Sequence, residues 1–260
     1  MKNYYKTIFT NNLVLFDEDI FNYEEILPWE LIHQIPNFFE KKVSGYNNIK
    51  NVILDESSGP IIVDPSATIE PFSVLRGPLY VGKYCLVKSH SNIANSIINR
   101  NCKISGEVHS SIFQPFSNKA HEGFIGHSLI GSWVNLGAGT TTSNLKNNYS
   151  KISIKWRESL IQTDSQFLGS IIGDFCKTSI GCNLNTGTII ELGCNVVSQS
   201  FPPRHIKMFS MFYKDKAHRI SFEDFCDSLE RMMERRSLKL LETQKNNLNE
   251  LYKNIDSHLN

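Results

Sequence analysis

An all-β chain wound as a parallel β-helix, with a short N-terminal cap and a C-terminal α-helix, is the fold the sequence predicts. Three observations carry that expectation. Aliphatic residues recur every six positions at Val63, Ile69, Leu75, Val81, Val87 and Ile93. Four residues after such aliphatics the side chain is small, as at Ala67, Ser73, Cys85, Ser91, Cys102, Thr140, Cys176, Cys182, Thr188 and Cys194. Both patterns are absent from the first fifty residues and from the last fifty.

With 40% of the chain hydrophobic, six hits in one register are a roughly 0.4% event by chance, so the period is a signal. It returns at Ile98 and Ile104, at Ile130 and Leu136, and at Ile172, Thr178, Leu184, Ile190 and Val196. A period of six fits neither the helical 3.6 nor simple alternation. It suits short strands joined by tight corners, with one large and one small inward residue per side. Glycine and asparagine in "LGAG", "IGD" and "NTG" supply corner conformations with positive φ. One turn then holds about three hexads, so residues near 18 apart lie on neighbouring levels of one face.

Taken in order, residues 1–50 read as a strand and a short helix that cap the column, because terminal repeats need covers. Residues 51–210 form the solenoid. Residues 211–260 form a helical extension: Ser221 followed by Asp224 makes an approximate capping box. Its apolar stripe runs Phe222, Phe225, Leu229, Met232, Met233, Leu240, Leu241, Leu248, Leu251 and Ile255. Within the solenoid the period falters between Ile104 and Ile125, where "SSIFQPFSNKAHEGF" predicts a loop leaving the wall.

Composition narrows the function. Twenty-seven basic and 26 acidic side chains give a formal charge of +1, which argues against a general nucleic-acid binder and leaves any anion to a local site. No stretch reaches ~18 consecutive apolar residues and the N-terminus lacks a signal-peptide core, so no membrane contact and a cytoplasmic location are expected. The six cysteines form no CxxC pair, and five of them share the small inward slot. They read as buried packing residues, and no metal is expected.

The polar window Ser117 to Ser150, "SNKAHEGFIGHSLIGSWVNLGAGTTTSNLKNNYS", follows the upstream "GEVHSSI" and precedes "IIGDFCKTSIGCNLNTGTII". Together these segments resemble the acetyltransferase half of the bifunctional sugar-1-phosphate nucleotidylyltransferase and glucosamine-1-phosphate N-acetyltransferase family, over roughly residues 50 to 210. The resemblance implies a left-handed parallel β-helix, acetyl-CoA as cosubstrate, a small sugar phosphate as acceptor and a homotrimer. It also implies roles by matching position. His121 is then the general base and Glu107 the carboxylate beside it. Asn135 and Asn144 contact substrate, with Arg76 in "VLRGP", His109 and Lys119 toward the sugar phosphate. Ala138 and Gly139 lie where acetyl-CoA passes the backbone, and Arg204 in "FPPRHIK" is a CoA contact.

The chemistry suits those residue types. An imidazole can take the proton of an attacking amine near neutral pH. Glycine-flanked backbone amides can approach a thioester oxygen. Cysteines buried in the wall favour direct transfer over a covalent intermediate. Two departures from the family stand out. Its nucleotidylyltransferase half has no counterpart in the fifty residues before the solenoid, so nucleotidyl transfer is not expected. His109 stands where the family commonly has a lysine, a weaker anion clamp at pH 7. The segment 145–168 is longer than the family's loop and predicts a hairpin over the cleft, with Lys146, Lys151, Lys155 and Arg157 toward CoA phosphates or solvent. The alternative function is a non-catalytic scaffold or regulatory subunit that binds a sugar nucleotide or a partner enzyme. A zinc hydratase using His109, His121 and His127 is a third reading.

Overall fold

The computed structural model describes residues 27–254 except Lys41, Asn48, Arg157 and Glu158. Short strands stack in parallel, rung upon rung. One sheet orders Ile53–Asp55, Val74–Val81, Asn92–Ile98, Ile112–Phe113, Leu129–Ile130, Ser170–Ile172, Thr188–Ile190 and His205–Ile206. A second wall stacks Thr68–Ile69, Leu86–Val87, Lys103–Ile104 and Asn118–Lys119, continued through the bridge at Asn135 to Lys177–Thr178, Asn195–Val197 and Ser210–Tyr213. The predicted parallel β-solenoid is the observed fold.

Its interior is the predicted one. Leu75, Val81, Val87, Ile93, Ile98, Ile104, Ile130, Leu184, Ile190 and Val196 belong to one buried cluster, together with Cys85, Cys102, Cys176, Cys182 and Cys194. Most residues of the small slot also serve as donors. Cys85 donates its thiol proton to Asn99 O at 2.8 Å, Cys102 to Gln114 O at 3.1 Å, Cys176 to Glu191 O at 2.9 Å and Cys194 to Lys207 O at 3.0 Å. Ser73 and Ser91 do the same to Lys88 O. Corner carbonyls facing inward are thereby satisfied. Burial raises the Cys182 thiol to about 11 and those of Cys102 and Cys194 well above the ordinary thiol value. Maleimide labelling of the native protein is expected to stay below one thiol per chain, rising to all six after denaturation.

The wall does not open between Ile104 and Ile125, contrary to the loop expected there. Leu75, Ile93, Val108 and Ile125 are register partners on successive rungs, steps of 18, 15 and 17 residues. The period falters because two coils are short. Phe113, fully buried, joins the interior cluster on one of these rungs. The next step is 42 residues, from Asn135 to Lys177 and from Thr141 to Asn183. The excess is the predicted hairpin, Ser153–Trp156 against Ser159–Gln162. It does not arch over a cleft: Ile152, Ile154 and Trp156 pack on the outer side of the long sheet, against Leu129, Ile171 and Ile189. Lys151 pairs with Asp164 at 2.8 Å and Lys146 donates to Lys151 O, so those lysines serve the hairpin itself. Lys155 is exposed on the hairpin, and Arg157 lies outside the described residues.

The N-terminal segment is a cover for a side rather than an end. The turn Leu31–Gln34 and the helix Ile35–Phe38 bury Trp29, Leu31, Ile32 and Ile35 on the same outer surface, beside Ile97 and Ile112. The strand expected before them lies outside the described residues.

At the other end the predicted single helix is an antiparallel hairpin and two helices. Ser210–Tyr213 pairs with Lys216–Arg219, then come Phe222–Glu234 and Glu242–Lys253. Phe225, Leu229, Met233 and Leu248 bury against a column of corner aromatics that includes Trp133, Phe175 and Phe209. Ile255 lies outside the described residues. Ser221 caps the first helix as expected, accepting from Asp224 N at 3.1 Å and donating to its carboxylate at 2.7 Å. Ser221→Ala is expected to lower stability by about 1 kcal/mol in denaturant titration, with the slope unchanged.

Candidate active-site corner

The strands that carry the polar window form one face of the column. Arg76, Ala94, His109 and Gly126 are register partners on it, as are Asn92, Glu107 and Phe124. Leu75, Ile93, Val108 and Ile125 alternate with them and point inward, fully buried. Alternation therefore turns Arg76, Glu107 and His109 outward, all three exposed. Arg76 donates to Asn92 Oδ1 at 2.5 Å and lies 3.8 Å from Asp55. Rungs stand ~4.8 Å apart, so Arg76 and His109 are about 10 Å from each other.

His121 sits at the corner that leads into this face. Gly139 N–H donates to Glu122 O at 3.1 Å, and Gly181 N–H donates to Ala138 O at 2.7 Å. The turns carrying His121, Ala138 and Ile180 are thus stacked directly. Glu107 follows the equivalent corner one rung earlier, so Glu107, His121, Ala138 and Gly139 occupy successive levels of one edge. His121 is exposed. Gly139 takes φ 73°, and a Cβ at Gly137 would meet Ser179 O at 2.4 Å, which explains glycine at both positions. Of the "GAG" amides, Gly137 N–H donates to Thr178 Oγ1 and Gly139 N–H to Glu122 O. Ala138 N–H has no such partner among the described residues.

Below Ala138 the same corner opens into a groove of about 650 Å³, lined by Ser179, Ile180, Val197, Ser198 and, farther along, Tyr213 and Lys214. Ile180 is 76% exposed, which is unusual for an isoleucine on a packed column. These residues escaped the sequence reading. Their signal was the large exposed aliphatic at a corner where the repeat calls for a small or polar residue.

Not every expected residue comes to this corner. Lys119 is the partner of Ile104 in the wall and points into the column, 2% exposed. It donates to His121 O at 2.6 Å and so braces the turn from inside, out of reach of a ligand. Burial lowers its pKa to about 8, against the opposing pull of Glu122. Asn135 lies on the adjoining face, in register with Asn118 and Lys177. Asn144 lies at the far corner of the first face and donates to His127 Nδ1 at 2.9 Å. The two asparagines therefore do not converge within one chain. Arg204 also belongs to that far corner, donating to Ser153 O beside Gly187.

That far corner holds a second histidine group. The His127 ring stacks on Phe167 at 5.2 Å and stands 5.6 Å from His109, whose Nδ1 meets Ser110 Oγ at 2.9 Å. Gly126 lets the group close: a Cβ there would meet Phe124 at 2.3 Å and Asn144 Nδ2 at 2.8 Å. Burial, then the neighbouring His109 and His33, push His127 down to about 4, so its ring is neutral at pH 7. Among the described residues no group of three His, Cys, Asp or Glu side chains is arranged to hold a metal, and no helix is long and apolar enough to cross a membrane.

No family model matches the chain. Curated relatives do. The chain is 26% identical over 211 residues to the bifunctional protein GlmU of Methanococcus vannielii, covering 72% of this chain and 45% of the relative. It is 26% identical over 186 residues to the uncharacterized acetyltransferase YaiX of Escherichia coli, covering 65% of this chain and 81% of the relative. The chain thus spans less than half the length of the GlmU relative. Among solved structures, a hexapeptide transferase family protein from Anaplasma phagocytophilum aligns with 81% of the chain and 87% of its own, at 15% identity and a TM-score of 0.21. The resemblance read from the sequence is borne out: the chain is a homologue of proteins named GlmU and of the acetyltransferase YaiX.

Proposed function

We propose that the chain is a CoA-dependent acyltransferase that moves an acetyl group from acetyl-CoA to the amine of an amino sugar phosphate or a related amine of sugar-nucleotide metabolism. The observation that carries this reading is the stacked edge: an exposed imidazole and carboxylate, an uncommitted backbone amide and an open groove follow one another along a single corner. A pantetheine arm lying in the groove at Ile180 and Val197 brings its thioester to Ala138. His121 takes the proton from the acceptor amine as its nitrogen attacks the thioester carbon, and Glu107 holds the resulting imidazolium. The Ala138 N–H receives the oxyanion. The C–S bond then breaks, and the imidazolium returns its proton to the departing thiolate.

Arg76, exposed and ~10 Å from His109, suits the acceptor's phosphate, with His109 and Asn144 left for hydroxyls and carbonyls. The separation of Asn135 from Asn144 leaves Asn135 outside the acceptor site of one chain, and a homotrimer that completes this site from a second subunit fits the reading. The YaiX relative, named an acetyltransferase and covered over 81% of its length, supports the reaction class.

Two measurements test the reading. Acetyl-CoA at 100 times its Kd is expected to stabilise the protein by ~2.7 kcal/mol, seen as a raised melting temperature. Thiol release from acetyl-CoA is expected with amino-sugar phosphates and not without an acceptor. Absence of both effects at millimolar acetyl-CoA would defeat the proposal.

A further inference from the structure

A second cavity lies on the Asn135 face, between the wall and the first C-terminal helix. It encloses about 390 Å³ and is lined by Lys103, Lys177, Arg231, Arg235 and Arg236, with no acidic side chain among its lining residues. For a chain of net charge +1 this is a pronounced local excess. The wall supplies Lys103 and Lys177 from rungs on either side of Asn118 and Asn135. The helix and its C-terminal turn supply the three arginines.

The cations are held there by structure. Arg236 donates to Asn118 Oδ1 at 2.8 Å, and Lys177 donates to Ser228 Oγ at 3.1 Å. Burial, with the added charge of Arg231, keeps the Lys177 ammonium below its ordinary pKa. Arg231 is 3.9 Å from Asp227 across the exposed side of the helix, and no carboxylate among the described residues pairs with Lys103, Arg235 or Arg236. Like charges gathered in a crevice repel, and a multivalent anion seated among them removes that cost.

The rest of the lining argues for more than a bare anion. Phe116 and Trp133 stack at 4.4 Å with an interplanar angle of 4°, and Met232 lies beside them. Arg100 covers Phe116 at 5.5 Å on the side away from Trp133, so the pair presents apolar edges beside the fixed cations, and an apolar border next to cations suits a ring carried on phosphates. The exposed amide of Asn135 adds a donor and an acceptor for ring edges. The volume lies in the ~300–1,000 Å³ range of small-molecule sites. We propose that this crevice is a binding site for a nucleoside polyphosphate, either a free nucleotide or the nucleotide end of a larger carrier. The assignment does not depend on the acyltransferase reading.

The test uses the full chain. ADP and UDP, titrated by calorimetry at low ionic strength, are expected to bind saturably and at least tenfold more tightly than pyrophosphate. Arg231→Glu combined with Arg235→Glu reverses two exposed charges and is expected to weaken both nucleotides at least tenfold while the circular-dichroism spectrum of the folded chain is retained. Lys177→Met, which removes one charge without introducing another, is expected to weaken them by a smaller factor. Competition between desulfo-CoA and ADP, lost in the double variant, assigns the carrier's nucleotide end to the crevice. Simultaneous binding of the two assigns it to a free nucleotide. No nucleotide binding at millimolar concentration, equal affinity for pyrophosphate, or affinity untouched by charge reversal would each overturn the proposal.

Discussion

His121→Ala is expected to slow acetyl transfer by about 100-fold or more, the usual contribution of a positioned general base. The ring is exposed at a corner turn, and the turn is fixed by backbone contacts of Gly139 and by Lys119. Removing the ring should therefore leave the melting temperature within a degree or two. That separation makes the variant informative, because a rate loss with intact stability cannot be ascribed to unfolding. His127→Asn is the control, since asparagine tolerates the left-handed φ of 46° at that position. With a pKa of about 4 its ring is a weak proton acceptor, and its Nδ1 already accepts from Asn144, so it is poorly suited to act as the base. A thiol-release assay in which His127→Asn is dead and His121→Ala is not would transfer the chemistry to the far corner.

Relative to Lys119→Met, the parent is expected to gain up to about 3 kcal/mol of stability as pH rises from 7 to 10.5, and the variant is expected to lower turnover by about tenfold. An ammonium 2% exposed inside a column of aliphatics is costly, and the gap between 10.5 and about 8 corresponds to about 3 kcal/mol. The sign follows from proton counting. Between about pH 8 and 10.5 the unfolded chain holds more protons on this residue, so stability gained from deprotonation rises with pH across that window. Below it the cost is present in full. The stability of the variant minus that of the parent should therefore be greatest at pH 7 and fall as pH rises through the window to 10.5, as read by denaturant titration. The loss of turnover comes from the other end of the side chain, whose bond to His121 O orients the catalytic turn. A stability difference between variant and parent that does not change between pH 7 and 10.5 would refute the account, and undiminished turnover would confine Lys119 to packing.

The column was legible because its period is written in side-chain volume. Most inward aliphatics and five of the six thiols follow one rule, which lapses only where coils are short. What defeated it was length at the corners. Coils of 15 and 17 residues keep the strands and drop corner residues, so a register counted in sixes slips although the wall continues through Ile112 and Phe113. The site was legible in part for the same reason. His121, Glu107, Ala138 and Gly139 fall on one edge because neighbouring levels align. Lys119 deceived the reading because charge normally marks a surface, and here alternation places a lysine between Ile104 and Leu136 on the inward side. The crevice at Lys177 and Arg231 joins residues far apart in the sequence, and no local pattern announces it.

The antiparallel strand Lys216–Arg219 has a consequence for solubility. A solenoid ends in unpaired backbone groups, an invitation for a second column to dock and for that one to recruit a third. Here the last rung of the Asn135 face is already taken by a strand of opposite direction, and its outer edge offers Lys216, His218 and Arg219, all exposed. An incoming parallel rung finds mismatched hydrogen-bond spacing and repelling cations on this wall, which opposes end-to-end stacking of columns there.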